Sequence, residues 1–204
     1  MKYFLAIIAL LGFISPITAH ASACPSTEVV FARGTNEPPG VGEIGQAFVD
    51  ALHPDSVYAV DYPASMDFRN SILQGVGDAA NHIEGLVGRC PGTRIVLGGY
   101  SQGAALAAFV TSDSIPEGIE TDLRPLSDSV ARHVKAVVVF GLPDAQFTGM
   151  LGVPPANISS RFASKQLCVE GDPICDGGGD FGRHSMYIDS GMVVEGAQFA
   201  RNHL

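Results

Sequence analysis

The chain carries little positive charge, and this shortage limits its partners. Its 204 residues include 12 Lys and Arg against 21 Asp and Glu, a formal net charge of −9, and only 16% of the residues are charged. Nucleic acid is an unsuitable partner for such a chain, because binding to the phosphate backbone depends on clustered basic side chains. Abundant glycine and apolar residues instead favour a compact α/β domain over a disordered segment.

Long apolar runs are also scarce, since the main one covers residues 4–14 and no second run of that kind follows. This run comes after a basic residue and before small-residue sites that end at Ala21 and Ala23, a pattern typical of a secretory signal peptide. It is shorter than the ~20 residues that a transmembrane helix needs. We therefore expect a signal peptide at 1–23 and one domain at 24–204, secreted or associated with the cell wall, without a stable membrane anchor.

Cysteine spacing of the zinc-binding kind is absent. The four cysteines, Cys24, Cys90, Cys168 and Cys175, include no C-x-x-C pair and have no histidine near them in sequence, so a zinc site is disfavoured. In a chain addressed to an oxidising compartment, an even number of cysteines predicts disulfides. Of three connectivities we favour Cys24–Cys90 and Cys168–Cys175, because the second pair is close in sequence and the first would tie down the mature N-terminus.

Apolar runs alternate with helical patterns along the chain, without a repeat or an internal linker. The predicted strands cover residues 28–32, 57–60, 95–97, 134–140 and 161–168. The predicted helices cover residues 44–52, 69–89, 104–111 and 185–200. Segments 112–130 and 141–157 are predicted as loops. Alternating strands and helices predict a mostly parallel sheet covered on both faces, with the working groups at the carboxyl ends of its strands.

A G-x-S-x-G motif at residues 99–103 is the most informative stretch, because an apolar run precedes it and helix-forming residues follow it. A serine on such a turn adopts a strained backbone conformation, and glycines on either side leave room for it. The helix that follows directs free N–H groups toward a developing oxyanion. The motif predicts Ser101 as a nucleophile and the Gln102 N–H as an oxyanion donor; the alternative is that the glycines only serve a strand-to-helix turn.

A nucleophilic serine needs a base, and histidine suits that task near neutral pH. Among the five histidines after the predicted signal peptide, His184 alone follows a predicted strand at the active edge of the sheet. The histidine in turn needs a carboxylate. Asp172 is favoured because the expected 168–175 disulfide would clamp its loop, and Asp144, just after the fourth strand, is the competitor.

Two further carboxylates, Asp176 and Asp180, are weaker candidates because they border a run of three glycines. Together with Asp172 they also raise the alternative of a calcium loop. Their spacing of four residues does not match the alternate-residue pattern of an EF-hand, so this alternative is disfavoured.

The loop after the first strand is expected to supply a second oxyanion donor. Thr35 fits, because it offers both a backbone N–H and a hydroxyl, although an ordinary loop threonine is the alternative. Apolar residues that flank the predicted cleft are candidate contacts for an acyl chain, or else core residues. They are Tyr62, Pro63, Ile174 and Phe181.

Taken together, these motifs resemble the cutinase family, and most closely the secreted cutinase-like proteins of actinobacteria. The likeness is carried by residues 29–35 (VVFARGT), by 99–103 (GYSQG), by the 168–175 loop and by His184. It covers nearly the whole chain after the predicted signal peptide, with the motifs in the family's order.

The resemblance implies a catalytic triad of Ser101, Asp172 and His184, which selects Asp172 over Asp144. It also implies an oxyanion hole at Thr35 and Gln102, and the disulfide pairing favoured above. The implied fold is a small lidless α/β-hydrolase with five central parallel strands and helices on both faces, without a metal or organic cofactor.

The function expected from these observations is that of a secreted serine esterase working through an acyl-enzyme. Its expected substrates are cutin-like polyesters, short- to medium-chain acyl esters or lipids. We expect the protein to be a monomer that encounters its substrate at an interface. The alternative enzymatic functions are those of a phospholipase, a thioesterase, a carbohydrate acetylesterase and a peptidase. The alternative without catalysis is a lipid-binding component of the cell envelope.

Overall fold

The structure is a computed structural model that describes residues 24–115 and 121–204, so the predicted signal peptide lies outside the described residues. Its centre is a five-stranded parallel sheet with the order β2-β1-β3-β4-β5. The strands are β1 (Thr27–Ala32), β2 (Ser56–Ala59), β3 (Arg94–Tyr100), β4 (Val134–Phe140) and β5 (Ser164–Leu167). The predicted five-stranded parallel sheet is therefore confirmed.

Helices cover both faces of this sheet, as predicted. They are α1 (Gly42–Leu52), α2 (Phe68–Arg89), α3 (Gln102–Val110), α4 (Asp128–Ala131), α5 (Ala145–Met150) and α6 (Met192–Arg201), with a 3₁₀ helix at Phe181–Ser185. Side chains alternate along a strand, so Val30 packs with α2 and α3 whereas its neighbour Val29 packs with α1 and α6. Because both faces are covered, every residue of β1 is buried.

Three segments differ from the predictions. The segments predicted as loops contain the short helices α4 and α5, which are too brief to show a helical period. Asp144 begins α5, because its side chain accepts a hydrogen bond from the Phe147 N–H at 2.7 Å. The last helix was predicted from residue 185, but it begins at Met192 after Gly191, whose φ of 77° is left-handed.

Both predicted disulfides are formed. Cys24–Cys90 joins the start of the described chain to the residue that follows α2, and Cys168–Cys175 closes a short loop after β5. Since both sulfurs of the second pair are oxidised, they cannot serve as thiolate ligands to a metal beside Asp172. Within the described ranges, no helix is both long and apolar enough to cross a membrane.

Candidate active site

The sharp turn between β3 and α3 places Ser101 at the carboxyl edge of the sheet, with φ 56° and ψ −117°. Such a backbone conformation is strained for a residue with a side chain and persists only where the surroundings enforce it. A Cβ on Gly99 would lie 2.1 Å from the Gly103 carbonyl oxygen, and one on Gly103 would lie 2.0 Å from the Ala32 carbonyl oxygen. Close backbone packing therefore requires both glycines and holds the turn.

A buried carboxylate faces the predicted base. The His184 Nδ1 lies 2.7 Å from Oδ2 of Asp172, whose side chain is fully buried. The Asp172 carboxylate also accepts the Ile174 N–H at 2.9 Å and the Tyr187 hydroxyl at 2.6 Å. This arrangement favours the tautomer with its proton on Nδ1, which leaves Nε2 as the basic nitrogen.

Tyr187 is the buried hydrogen-bond donor of this group. Its side chain has no exposed surface, and its hydroxyl contacts the same carboxylate oxygen that His184 contacts. Burial, followed by the hydrogen bond to Asp172, raises the pKa of the Tyr187 hydroxyl above its ordinary value. The hydroxyl therefore stays protonated, and able to donate, at pH values at which an ordinary tyrosine begins to ionise.

The imidazole of His184 lies beside the turn that carries Ser101. Tyr100, the residue before the serine, donates its hydroxyl to the His184 carbonyl at 2.7 Å and stacks its ring 4.9 Å from the imidazole. A Cβ on Gly141 would lie only 2.8 Å from the His184 Cε1. In the described part of the chain, Nε2 is buried without a hydrogen-bond partner. This nitrogen is thus available to accept a proton.

The side chain of Gln102 organises the loop after β1. Its Nε2 donates to the Thr35 hydroxyl oxygen at 3.1 Å and to the Ser65 carbonyl at 2.8 Å, while its Oε1 accepts from the Ser71 hydroxyl at 2.6 Å. Because the Thr35 oxygen accepts from Gln102, its own hydrogen is left to donate elsewhere. Gln102 is also the first residue of α3, where backbone N–H groups have no intrahelical acceptor. The Thr35 hydroxyl and the backbone N–H of Gln102 are therefore suited to donate hydrogen bonds to an oxyanion.

A buried arginine supports the same loop. Arg33 donates to the carbonyls of Glu37 at 2.8 Å and Tyr62 at 2.7 Å, and its guanidinium lies 5.0 Å from the centre of the Tyr62 ring. The Tyr62 hydroxyl in turn donates to the Arg33 carbonyl. The sequence analysis assigned no role to Arg33, because the groups that accept its hydrogen bonds are backbone carbonyls, and that of Tyr62 lies on a distant loop.

A narrow apolar pocket opens beside Ser101, between α2, α3 and the segment that contains α5. Besides Ser101 and Gln102, its lining residues are Phe68, Ile72, Ala105, Phe109, Leu142, Pro143, Phe147, Thr148, Leu151, Val153, Pro154 and Ala156. Within the described ranges, the structure places none of the four residues predicted as acyl contacts on this wall. Tyr62 and Ile174 are core residues, and Pro63 and Phe181 are exposed. The sequence analysis did not identify the pocket residues between 142 and 156, because it predicted 141–157 as a loop.

The other candidate carboxylates accept hydrogen bonds from backbone groups close to them in sequence. Asp144 caps α5 instead of facing His184. Asp176 accepts the Gly171 N–H at 2.8 Å, and Asp180 accepts the Gly182 N–H at 2.9 Å. Each of these bonds is local in sequence, whereas Asp172 reaches across to His184.

Known proteins resemble the chain in sequence. The family model described as Cutinase matches residues 23–204. Carboxylesterase Culp1 of Mycobacterium tuberculosis is 45% identical over 91% of this chain and 85% of its own length. Phospholipase Culp4 of the same organism is 40% identical over 90% of this chain and 81% of its own length.

Solved structures resemble the chain in fold. The catalytic core domain of acetyl xylan esterase from Trichoderma reesei has a TM-score of 0.72 at 26% identity, over 89% of this chain and all of that domain. Trichoderma reesei cutinase in complex with a C11Y4 phosphonate inhibitor has a TM-score of 0.64 at 31% identity, over 88% of this chain and 76% of that one.

Proposed function

The chain belongs to the cutinase family and is a carboxylic ester hydrolase, and from this premise we propose that it is a secreted serine esterase that works through an acyl-enzyme on Ser101. The observation that carries the proposal is the buried Asp172–His184 pair beside the strained turn of Ser101. Two disulfides support secretion, because such bonds persist in oxidising compartments.

In the proposed reaction, the Ser101 hydroxyl oxygen attacks the ester carbonyl carbon while Nε2 of His184 takes the hydroxyl proton. Asp172 holds the imidazole in place and stabilises the imidazolium. The tetrahedral oxyanion accepts hydrogen bonds from the Gln102 N–H and from Thr35. Collapse expels the alcohol, which receives the proton from His184. In the second half-reaction His184 takes a proton from water, whose oxygen attacks the acyl carbon. Collapse of this second tetrahedral intermediate releases the carboxylic acid, and the Ser101 oxygen regains its proton from His184.

The names of the relatives refer to different ester-hydrolysing activities. Family membership alone therefore does not identify the class of ester that this chain hydrolyses. A p-nitrophenyl ester panel, together with phospholipid and acetylated sugar substrates, separates a carboxylesterase from a phospholipase or an acetylesterase. We expect simple carboxylic esters to be hydrolysed, since the pocket beside Ser101 is apolar.

Labelling by a fluorophosphonate tests the proposed nucleophile. The wild-type protein should form a covalent adduct at Ser101, and Ser101→Ala should lose both the adduct and at least about 10⁴-fold of kcat on p-nitrophenyl butyrate. Ser129→Ala, at an exposed serine of α4, is the matched control and should label like the wild type. A folded wild-type protein that neither labels nor hydrolyses esters would favour the non-catalytic lipid-binding alternative instead.

A further inference from the structure

A buried serine of α2 contacts the side chain that holds Thr35. Ser71 lies in the first turn of α2 and is 1% exposed, and the Gln102 side chain beside it is 2% exposed. The Ser71 hydroxyl oxygen lies 2.6 Å from Oε1 of Gln102 and 3.1 Å from the backbone nitrogen of Ser65. The proposed reaction uses only the backbone N–H of Gln102, so it assigns no role to the amide or to Ser71.

The hydrogen bonds of Ser71 fix the orientation of the Gln102 amide. The Ser71 oxygen accepts the Ser65 N–H, and its single hydrogen is then free to donate to Oε1 of Gln102. The Nε2 end of the amide faces the Ser65 carbonyl at 2.8 Å, a group that only accepts. With the amide reversed, two oxygens would face each other there with no hydrogen between them. One orientation therefore satisfies all of these groups.

This orientation determines where the Thr35 hydroxyl can donate. Nε2 of Gln102 lies 3.1 Å from the Thr35 oxygen and is a donor only, so that oxygen accepts and its own hydrogen stays available to an oxyanion. With the amide reversed, the Thr35 hydroxyl would donate to Oε1 and be lost to the reaction. The bonds thus run in one direction, from the Ser65 N–H through Ser71 and Gln102 to Thr35, and bonds aligned in this way reinforce one another.

The backbone of the Thr35 loop has supports that do not involve Ser71. The Asn36 N–H donates to the Ala64 carbonyl at 2.7 Å, and the Arg33 guanidinium donates to the Tyr62 carbonyl at 2.7 Å. Removing the Ser71 hydroxyl should therefore leave the loop in place and change the direction in which the Thr35 hydroxyl points.

We propose that Ser71 is a positioning residue for the oxyanion hole, acting through the Gln102 side chain on the Thr35 hydroxyl. The proposal rests on the proposed esterase function and deepens it, because it names the group that orients one of the oxyanion donors. Negative charge on the substrate oxygen develops fully only in the tetrahedral intermediate. Loss of the Ser71 hydroxyl should therefore lower kcat and leave KM nearly unchanged.

A double-mutant cycle between positions 71 and 35 tests the proposal. Thr35→Val removes the oxyanion donor itself and should lower kcat on p-nitrophenyl butyrate about 100-fold. Ser71→Ala alone should lower kcat about tenfold, with KM within twofold of wild type. Added to Thr35→Val, however, it should lower kcat less than twofold further, because the hydroxyl that it orients is already gone. A further tenfold loss in the double variant, or an unchanged kcat in Ser71→Ala alone, would overturn the proposal.

Ser112→Ala is the matched control. Ser112 is also a buried serine, and its hydroxyl donates to the Phe109 carbonyl at 2.8 Å near the end of α3, away from Gln102. Urea unfolding should show that this variant loses stability much as Ser71→Ala does, while its kcat stays within twofold of wild type. An equal loss of kcat in both variants would show a general effect of losing a buried hydroxyl and would refute the role of Ser71.

Fluorophosphonate labelling separates this proposal from the proposed function. If the wild type neither labels nor hydrolyses esters, the proposed function is wrong. If the wild type does both, but the losses in Ser71→Ala and Thr35→Val multiply in the double variant, the proposal for Ser71 alone is wrong. Circular dichroism establishes which variants fold. Should Ser71→Ala not fold, Ser71→Cys, whose thiol is a weak donor, takes its place in the same cycle with the same two outcomes.

Discussion

The turn that carries Ser101 and the segment that carries Asp172 and His184 are held in place by different forces. The turn lies between the buried strand β3 and α3, whose residues are all buried. The segment from 168 to 187 includes a 3₁₀ helix none of whose five residues is buried, and Phe181 is 67% exposed. Besides the buried side chains of Val169, Ile174 and Tyr187, that segment is held by a disulfide and by the hydrogen bonds of Asp172 and Tyr100.

The difference shows how one active site can combine two kinds of stability. Dense packing fixes the proposed nucleophile, because displacing the backbone there would disturb the core. A polar network fixes the proposed base and acid, because the buried carboxylate must keep its donors. Changes at the turn should therefore reduce stability, whereas changes in the 168–187 segment should mainly reduce activity.

The largest effect is expected from Gly103→Ala, which tests the packing of the turn. The new Cβ would lie 2.0 Å from a backbone carbonyl, so we expect a loss of about 5 kcal/mol in the free energy of unfolding, enough to unfold a marginally stable domain. Gly179→Ala is the matched control in the other region, since its Cβ would meet no atom within 4 Å. Urea unfolding measures both variants, and equal stabilities would refute the contrast.

The two disulfides should separate stability from activity. On the loop-entropy model, removing Cys24–Cys90, which spans 66 residues, costs about 4 kcal/mol, and removing Cys168–Cys175, which spans 7, costs about 2.5 kcal/mol. We expect only the second removal to lower kcat/KM, by about tenfold, because it releases the loop of Asp172. Paired Cys→Ser variants, assayed at a temperature where both are folded, measure this; the reverse ranking of activity would contradict the comparison.

Tyr187→Phe tests the polar network with a smaller change. Loss of the hydroxyl leaves the buried Asp172 carboxylate with one donor fewer, a change worth about 1 to 3 kcal/mol. We expect kcat on p-nitrophenyl butyrate to fall about tenfold with KM little changed, since the ring still fills its site. Tyr58→Phe, which removes a hydroxyl bonded to Asp78, is the control, and an equal loss of kcat there would point to a general effect.

The smallest predicted effect is a change in how stability depends on pH, and it concerns Glu28. This residue lies in the densely packed part of the molecule, and its Oε1 lies 2.5 Å from the His82 Nε2. Burial alone would raise the pKa of Glu28, but hydrogen bonds from His82 and Ser56 outweigh it and lower the pKa below 4.5. A lowered carboxyl pKa contributes stability above the unfolded value, and this is lost as pH falls through the folded value.

We therefore expect the wild type to lose more stability than Glu28→Gln between pH 6 and pH 3. Urea unfolding at several pH values measures this difference. Parallel stability curves for the two proteins would show that the Glu28–His82 pair makes no pH-dependent contribution to stability. As a control, kcat at pH 7 should be similar in both proteins.

Several features follow from the sequence because their causes are local. The strained turn at Ser101 needs glycines two residues away on either side, and this steric demand is visible in a stretch of five residues. The alternation of buried strands with helices predicts the parallel sheet, since each strand carries its own apolar pattern. The short disulfide loop is likewise evident from cysteines only seven residues apart.

Other features were decided only by the tertiary structure, because they join residues that are distant along the chain. The sequence left Asp144 and Asp172 as alternatives from position alone, and the fold separates them by giving one to a helix cap and the other to His184. Tyr187 was predicted only as a helix residue, yet its hydroxyl meets the Asp172 carboxylate. The apolar pocket arises where α2, α3 and the 142–156 segment converge, and no pattern within any one of them indicates it.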